Sequence, residues 1–253
     1  MPEKKHPVVS VITPVYNSEN FVSDAIKSVL EQNFTDWEMI IVDDCSTDNS
    51  VEVCMGFAGQ DSRIRVMELD KHSGPAVARN AAIRVAAGRY IAFLDSDDFW
   101  HRNKLDLQLE LFKRTGAPLA YSAYEKIDEK KRNKNRIISV PESIDYYGLL
   151  NATVIATVTA VYDTARVGKV MMPDILKRQD YALWLKILRI GGKAYAVSKP
   201  LACLRKRSGS VSSNKLSAMR YTWMVYRRIE KLSVGRSIYH FFNYAVRALI
   251  KNL

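Results

Sequence analysis

Cysteine is scarce in this chain of 253 residues. Cys45, Cys54 and Cys203 form no C-x-x-C pair, sit among no histidine cluster and are odd in number, so neither a zinc site nor a disulfide framework is expected, and reduced structural thiols are. Long apolar runs are missing too. The longest uncharged stretch, Tyr146 to Tyr162, is broken by Gly148, Asn151 and three threonines, which falls short of a membrane span. Met1 to Pro7 leads straight into a strand-like run with no leader-type apolar segment, so a cytoplasmic protein is expected. Two nucleotide signatures are absent as well: no G-x-x-x-x-G-K-[ST], and no G-x-G-x-x-G after the first apolar run. What is present is ordinary for a folded body, 47% hydrophobic and 26% charged residues, which excludes wholesale disorder and collagen.

Acid is the other shortage, and it is local. Residues 1–198 balance 26 Lys+Arg against 26 Asp+Glu, whereas residues 199–253 carry 12 Lys+Arg against Glu230 alone. The net charge of +11 therefore belongs to the tail. Such an excess suits an anionic partner: nucleic acid, an anionic lipid surface or a phosphorylated substrate. Nucleic acid has no recognition module to support it here.

Four short apolar runs, Val8 to Thr13, Trp37 to Val42, Ile64 to Met67 and Tyr90 to Leu94, alternate with helical segments at Ser18 to Gln32, Asp48 to Phe57 and Pro75 to Ala87. This predicts an α/β fold of Rossmann-like character, a mostly parallel sheet with helices on both faces. In such sheets ligands bind beyond the carboxyl ends of the strands. The residues there are Thr13-Pro14-Val15-Tyr16-Asn17, Asp43-Asp44-Cys45-Ser46, the Asp70 to Pro75 loop leading to Arg79, and Asp95-Ser96-Asp97-Asp98. Single acids at such places cap helices. Three packed into four residues repel one another unless a cation or solvent compensates. Asp95 and Asp97, flanking one residue, can aim hard oxygen ligands at Mg²⁺ or Mn²⁺, ions that keep open positions for phosphates. A nucleotide site lined by Tyr16, Asp43, Asp44 and Arg79 is the expectation.

The runs V-S-V-I-T-P-V-Y-N, I-I-V-D-D-C-S-T-D, G-P-A-V-A-R-N-A-A-I and G-R-Y-I-A-F-L-D-S-D-D, in that order, resemble the family-2 glycosyltransferases of the GT-A fold, the type that builds bacterial envelope polysaccharides. The likeness is tight over residues 7–115 and looser to about residue 212. It implies inverting transfer of a sugar from a nucleotide-diphosphate donor, usually a UDP-sugar, to an acceptor hydroxyl with bound Mn²⁺ or Mg²⁺. By position it implies that Pro14, Val15, Tyr16 and Asp44 line the base, that Asp43 and Arg79 support the nucleotide, that Asp97 meets the metal with Asp95 near the ribose and as a second metal ligand, and that Thr13 and Ser96 belong to the donor site. Asp98 is left between capping a helix near His101 and facing the acceptor.

An inverting displacement needs one general base. Asp180 precedes an apolar helix with Leu183, Trp184, Ile187 and Leu188 on its buried side. The residues allow an N-cap or a base, and the resemblance implies the base, with Gln179 where the family commonly has Glu. Leu204 to Ser212 resembles the family's Tyr-Arg-x-His-x-x-Ser-x-Ser loop over the donor, which implies donor contacts from Arg205 and Ser210; Leu204 and Arg207 depart from that pattern. The Lys130 to Lys134 run reads as an exposed hairpin or loop, and Asp145 to Tyr162, with a threonine-rich strand, as the acceptor side. The expected organisation is a glycosyltransferase domain over 1–215 (nucleotide half 1–115, acceptor half 116–215) and a basic helical tail over 216–253. In the tail, 216–232 and 236–251 read as amphipathic helices. Ile238, Phe241, Phe242, Ala245 and Leu249 form the apolar face of the second, and Arg236, His240, Asn243, Arg247 and Lys251 the other. These helices suit either an anionic membrane surface or packing on the domain. A lipid-linked or polysaccharide acceptor at the cytoplasmic face of a membrane is the resulting expectation.

Overall fold

The structure, a computed structural model, describes residues 6–128, 136–206 and 215–250. Strands β1 (Val9–Val15), β2 (Trp37–Asp43), β3 (Ile64–Glu68) and β4 (Tyr90–Phe93) alternate with helices α1 (Val22–Leu30), α2 (Ser50–Ala58) and α3 (Pro75–Val85). They pair in parallel in the order β3-β2-β1-β4. Every residue of β1 and β2 is buried, which is why they read as unbroken apolar runs. Successive side chains serve opposite faces: Ile12, Ile40 and Val42 join the α3 core, while Val11, Met39 and Ile41 join the core of α1 and α2. Gly88 lets the chain enter β4 against β1, because a Cβ there would stand 2.6 Å from the Ser10 nitrogen.

After β4 come β5 (Phe99–Trp100), α4 (Lys104–Thr115), β6 (Leu119–Asp128), β7 (Arg136–Ile138), β8 (Ser143–Ile144) and α5 (Tyr146–Leu150). A 3-10 turn at Thr157–Thr159, β9 (Val161–Asp163), α6 (Thr164–Val167), α7 (Gln179–Gly191) and β10 (Ala194–Lys206) follow. The sheet continues as β4-β9-β6-β10-β5, with β7 on β6 and β8 on β10. Of these later pairings only β6 with β10 is parallel. The expected parallel sheet thus holds across the first four strands and becomes mixed beyond them. The stretch expected as a threonine-rich strand is instead α5, a loop and the 3-10 turn, and strand begins only at Val161. Asp145 caps α5 by accepting from the Gly148 N–H at 2.8 Å. The β6–β7 pairing makes the expected hairpin, whose basic tip lies outside the described residues.

Two helical segments close the described chain: α8 (Lys215–Met224), which runs into a π turn at Val225–Ile229, and α9 (Val234–Ile250). They pack on the body. Tyr226 donates to the Leu150 carbonyl, and buried Glu230 accepts from Tyr146 Oη at 2.7 Å and from Arg189 at 3.0 Å. The expected division of α9 needs correction. His240, assigned to its polar face, is buried with Ser237 and Tyr244, while Ile238 (56%) and Phe242 (68%) are exposed. Hydrogen bonds explain the inversion: His240 Nδ1 lies 2.8 Å from Asn151 Oδ1, and Arg178 donates to Tyr244 Oη at 2.7 Å. Phe241 is half-buried, edge-on to Trp223.

Candidate active site

Strands β1, β2 and β4 end at one edge of the parallel half. Thr13, Pro14 and Val15 are the buried last residues of β1. Thr13 Oγ1 has no hydrogen-bond partner among the described residues. Tyr16 follows, 45% exposed, its ring 4.2 Å from that of His72. Asp43 closes β2 and accepts from the Ser46 N–H at 2.8 Å and from its hydroxyl. The Asp44 carboxylate accepts from the Ser73 and Gly74 N–H groups, each at 2.7 Å. Gly74, at φ 88°, immediately precedes α3, so Asp44 sits where unpaired helix donors and the helix dipole favour negative charge.

The acid loop joins β4 to β5. Asp95, partly exposed, is ion-paired with the nearly buried Arg79. The Ser96 hydroxyl turns into the fold and donates to Ser18 Oγ at 2.8 Å. Asp97 is partly exposed. Asp98 is buried and accepts from the Arg205 N–H at 2.8 Å. Burial, and then the charges of Asp97 and Asp95, push the Asp98 carboxyl well above the usual carboxylate range. Asp98 therefore ties β10 to the loop; α4 begins only at Lys104 and its N-cap is Asn103.

Arg205 is placed otherwise than expected. Its side chain is 4% exposed, and its guanidinium donates to the Asp97 carbonyl and to Asp24, each at 2.8 Å, and packs on the Phe21 and Phe99 rings. Rather than offering its charge to a diphosphate at the open edge, it braces the acid loop against α1. Ser210, the other donor contact expected from that stretch, lies outside the described residues.

Asp180 occupies the first turn of α7, not its cap, which is Arg178. Its carboxylate accepts from Thr157 Oγ1 at 3.0 Å. The segment carrying Thr157 also holds both flanks of the acid loop: Phe93 N–H donates to the Ala160 carbonyl at 3.3 Å, and Trp100 Nε1 to that of Val158 at 2.9 Å. Asp180 and the acid loop thus share one support. Of the non-glycine residues with positive φ among those described, Asn17, Cys45 and Arg178 adjoin Tyr16, Asp44 and the residues before Asp180, the strained backbone that collects at functional loops. Three residues of the site carry no sequence signal for their roles. His72 supports Tyr16 and Asp44, Asp24 pairs with Arg205, and Thr157 holds Asp180, all through long-range contacts.

The sequence pattern described as Glycosyl transferase family 2 matches residues 10–172. The chain is 42% identical over 247 residues to the putative teichuronic acid biosynthesis glycosyltransferase TuaG of Bacillus subtilis (strain 168), covering 98% of each. It is 36% identical over 250 residues to the UDP-Glc:alpha-D-GlcNAc-diphosphoundecaprenol beta-1,3-glucosyltransferase WfgD of Escherichia coli, covering 97% of this chain and 95% of WfgD. Among solved structures, S. aureus TarS 1–349 in complex with UDP-GlcNAc superposes with a TM-score of 0.74 at 21% identity, over 94% of this chain and 71% of that one. Acid loop, strand order, family match and full-length relatives agree: the chain belongs to glycosyl transferase family 2 and has its GT-A fold.

Proposed function

We propose that this glycosyltransferase moves a hexosyl or N-acetylhexosaminyl group from a UDP-sugar to a hydroxyl of a lipid-linked glycan, with inversion, at the cytoplasmic face of a membrane. One observation carries the reading: the acid loop and Asp180 are held at one sheet edge by the same segment, Thr157 to Ala160. A UDP donor is supported by the WfgD name and the TarS ligand, and a lipid-linked acceptor by the WfgD name.

Exposed Tyr16, backed by His72, offers the uracil a flat face beside Asp44. Arg79 orients Asp95 toward the ribose. A hard divalent cation fits the acid loop: Asp95 and Asp97 are partly exposed carboxylates two residues apart, and burial, then their charges, raise the neighbouring Asp98 carboxyl. Mn²⁺ or Mg²⁺ held by Asp97 and Asp95 would neutralise the departing diphosphate. Asp180 takes the proton of the acceptor hydroxyl as that oxygen bonds to the anomeric carbon and the bond to UDP breaks on the opposite face.

The membrane part rests on α9. Among the described residues no helix is long and apolar enough to cross a bilayer. Val234, Ile238, Tyr239 and Phe242 are exposed, and so are Arg236 and Arg247, the composition of a surface-lying helix. Release of UDP from a panel of UDP-sugars, with Mn²⁺ and after chelation, tests the reaction. One donor should turn over only with metal, and Asp97→Ala should weaken Mn²⁺-dependent donor binding about tenfold or more; unchanged affinity in that variant defeats the metal assignment.

A further inference from the structure

We propose that His101, Glu125 and Cys203 form a second metal site, one for a zinc-class divalent ion, built into the β6-β10-β5 edge of the sheet. Sheet register brings them together. Cys203 pairs with Phe99 on one side and with Glu125 on the other. His101 follows β5 directly, two residues beyond Phe99. Sequence spacing gives no expectation of a zinc site, because Cys203 and His101 stand 102 residues apart and only strand pairing brings them together.

The ligand atoms converge, two of the three separations at zinc spacing and the third slightly longer. Cys203 Sγ lies 3.6 Å from His101 Nε2 and 3.9 Å from Glu125 Oε2, and His101 Nε2 lies 3.5 Å from Glu125 Oε1. One atom from each residue falls within 4.8 Å of the others. Tetrahedral zinc, with bonds of about 2.3 Å to sulfur and about 2.0–2.2 Å to nitrogen or oxygen, spaces its ligands about 3.3–3.6 Å apart. A cysteine–histidine–carboxylate relay has another shape: the acid would hold Nδ1 and leave Nε2 for the thiol. Here thiol and carboxylate both face Nε2. Ligand type separates this site from the acid loop, since thiolate and imidazole select zinc over Mg²⁺, whereas the loop offers only hard oxygen. Cys203 is buried and His101 partly exposed, which gives the ion an approach. On binding, the sulfur gives its proton to solvent and a Zn–S bond forms. Cys203 stands two residues before Arg205, so the ion would pin β5 and β10 beside the brace of the acid loop.

The experiment uses the full chain without a histidine tag, loaded with Zn²⁺ in excess Mg²⁺, desalted and assayed for metal by mass spectrometry. About one zinc per chain is expected, and Co²⁺ loading should give a thiolate-to-cobalt charge-transfer band. Cys203→Ser and, separately, the partly exposed His101→Ala should lower retained zinc at least tenfold and remove or alter the band; Cys45→Ser should change neither. Wild-type protein that retains no zinc, or either ligand variant that retains as much as wild type, overturns the site. The readout is metal content, so its failure is distinct from failure of the transferase reading.

Discussion

At the sheet edge polar side chains are tied to the fold, and on α9 apolar side chains are left out of it. Asp44 is held by two backbone N–H groups, Asp98 by the Arg205 N–H and Asp180 by Thr157. On α9 the inward positions are Ser237, His240 and Tyr244, while Ile238 and Phe242 face out. Groups that must act on a substrate need fixed positions, because misplacement by a fraction of an ångström is felt in the rate. A surface that lies on a bilayer needs only area and charge. On the proposed function, substitutions of acting groups in the first region should change chemistry steeply, and those on α9 should change membrane recovery alone.

The steepest expected effect is at Asp180. Asp180→Asn keeps an acceptor for Thr157 but cannot take the acceptor proton. The turnover number kcat should fall about 10³-fold, within the usual reach of general-base catalysis, while calorimetric donor affinity in Mn²⁺ stays within about twofold. Near-normal turnover would break the contrast at its strongest point. A smaller effect is expected on α9. Ile238→Ser combined with Phe242→Ser removes two exposed apolar side chains and should cut recovery with anionic vesicles in flotation about tenfold. Turnover of a water-soluble acceptor should not change. Equal flotation would assign the stripe some other role.

The two regions also differ in how legible they are. Buried strands β1 to β4 read clearly because a strand covered on both faces is an unbroken apolar run, and acids at the ends of such strands stand out against it. Asp98 is harder, since its partner is a backbone N–H on β10, more than a hundred residues away. Arg205 is a donor contact by resemblance because sequence shows its place in a motif but not Asp24, Phe21 and Phe99 around it. In α9 two faces compete. Periodicity puts Ile238 and Phe242 on an apolar face and His240 opposite, yet the hydrogen bonds of His240 with Asn151 and Tyr244 with Arg178 draw His240 and Tyr244 inward and leave Ile238 and Phe242 exposed. Periodicity measures hydrophobicity along a helix, not the polar partners waiting on the body.

The mildest test lies inside the acid loop and asks whether its members divide between chemistry and support. Burial, and then Asp97 and Asp95, raise the Asp98 carboxyl above its unfolded value near 3.9. Over the pH window that opens at that unfolded value, the folded chain binds the proton more tightly than the unfolded chain does. The stabilisation is full below the window and is lost as pH rises through the folded value. Asp98→Asn keeps an oxygen for the Arg205 N–H and carries no charge. In metal-free buffer, urea midpoints of this variant should therefore lose much of the decline that wild type shows as pH rises from about 4 toward neutrality, and near pH 8 it should be at least as stable as wild type. Asp98→Ala removes the acceptor as well, and leaving that buried N–H unpaired should cost about 1–3 kcal/mol relative to Asp98→Asn. If Asp98→Asn instead unfolds more readily at every pH, the Asp98 charge is itself part of what holds β10 to the loop, and the division between acids that act and an acid that supports collapses.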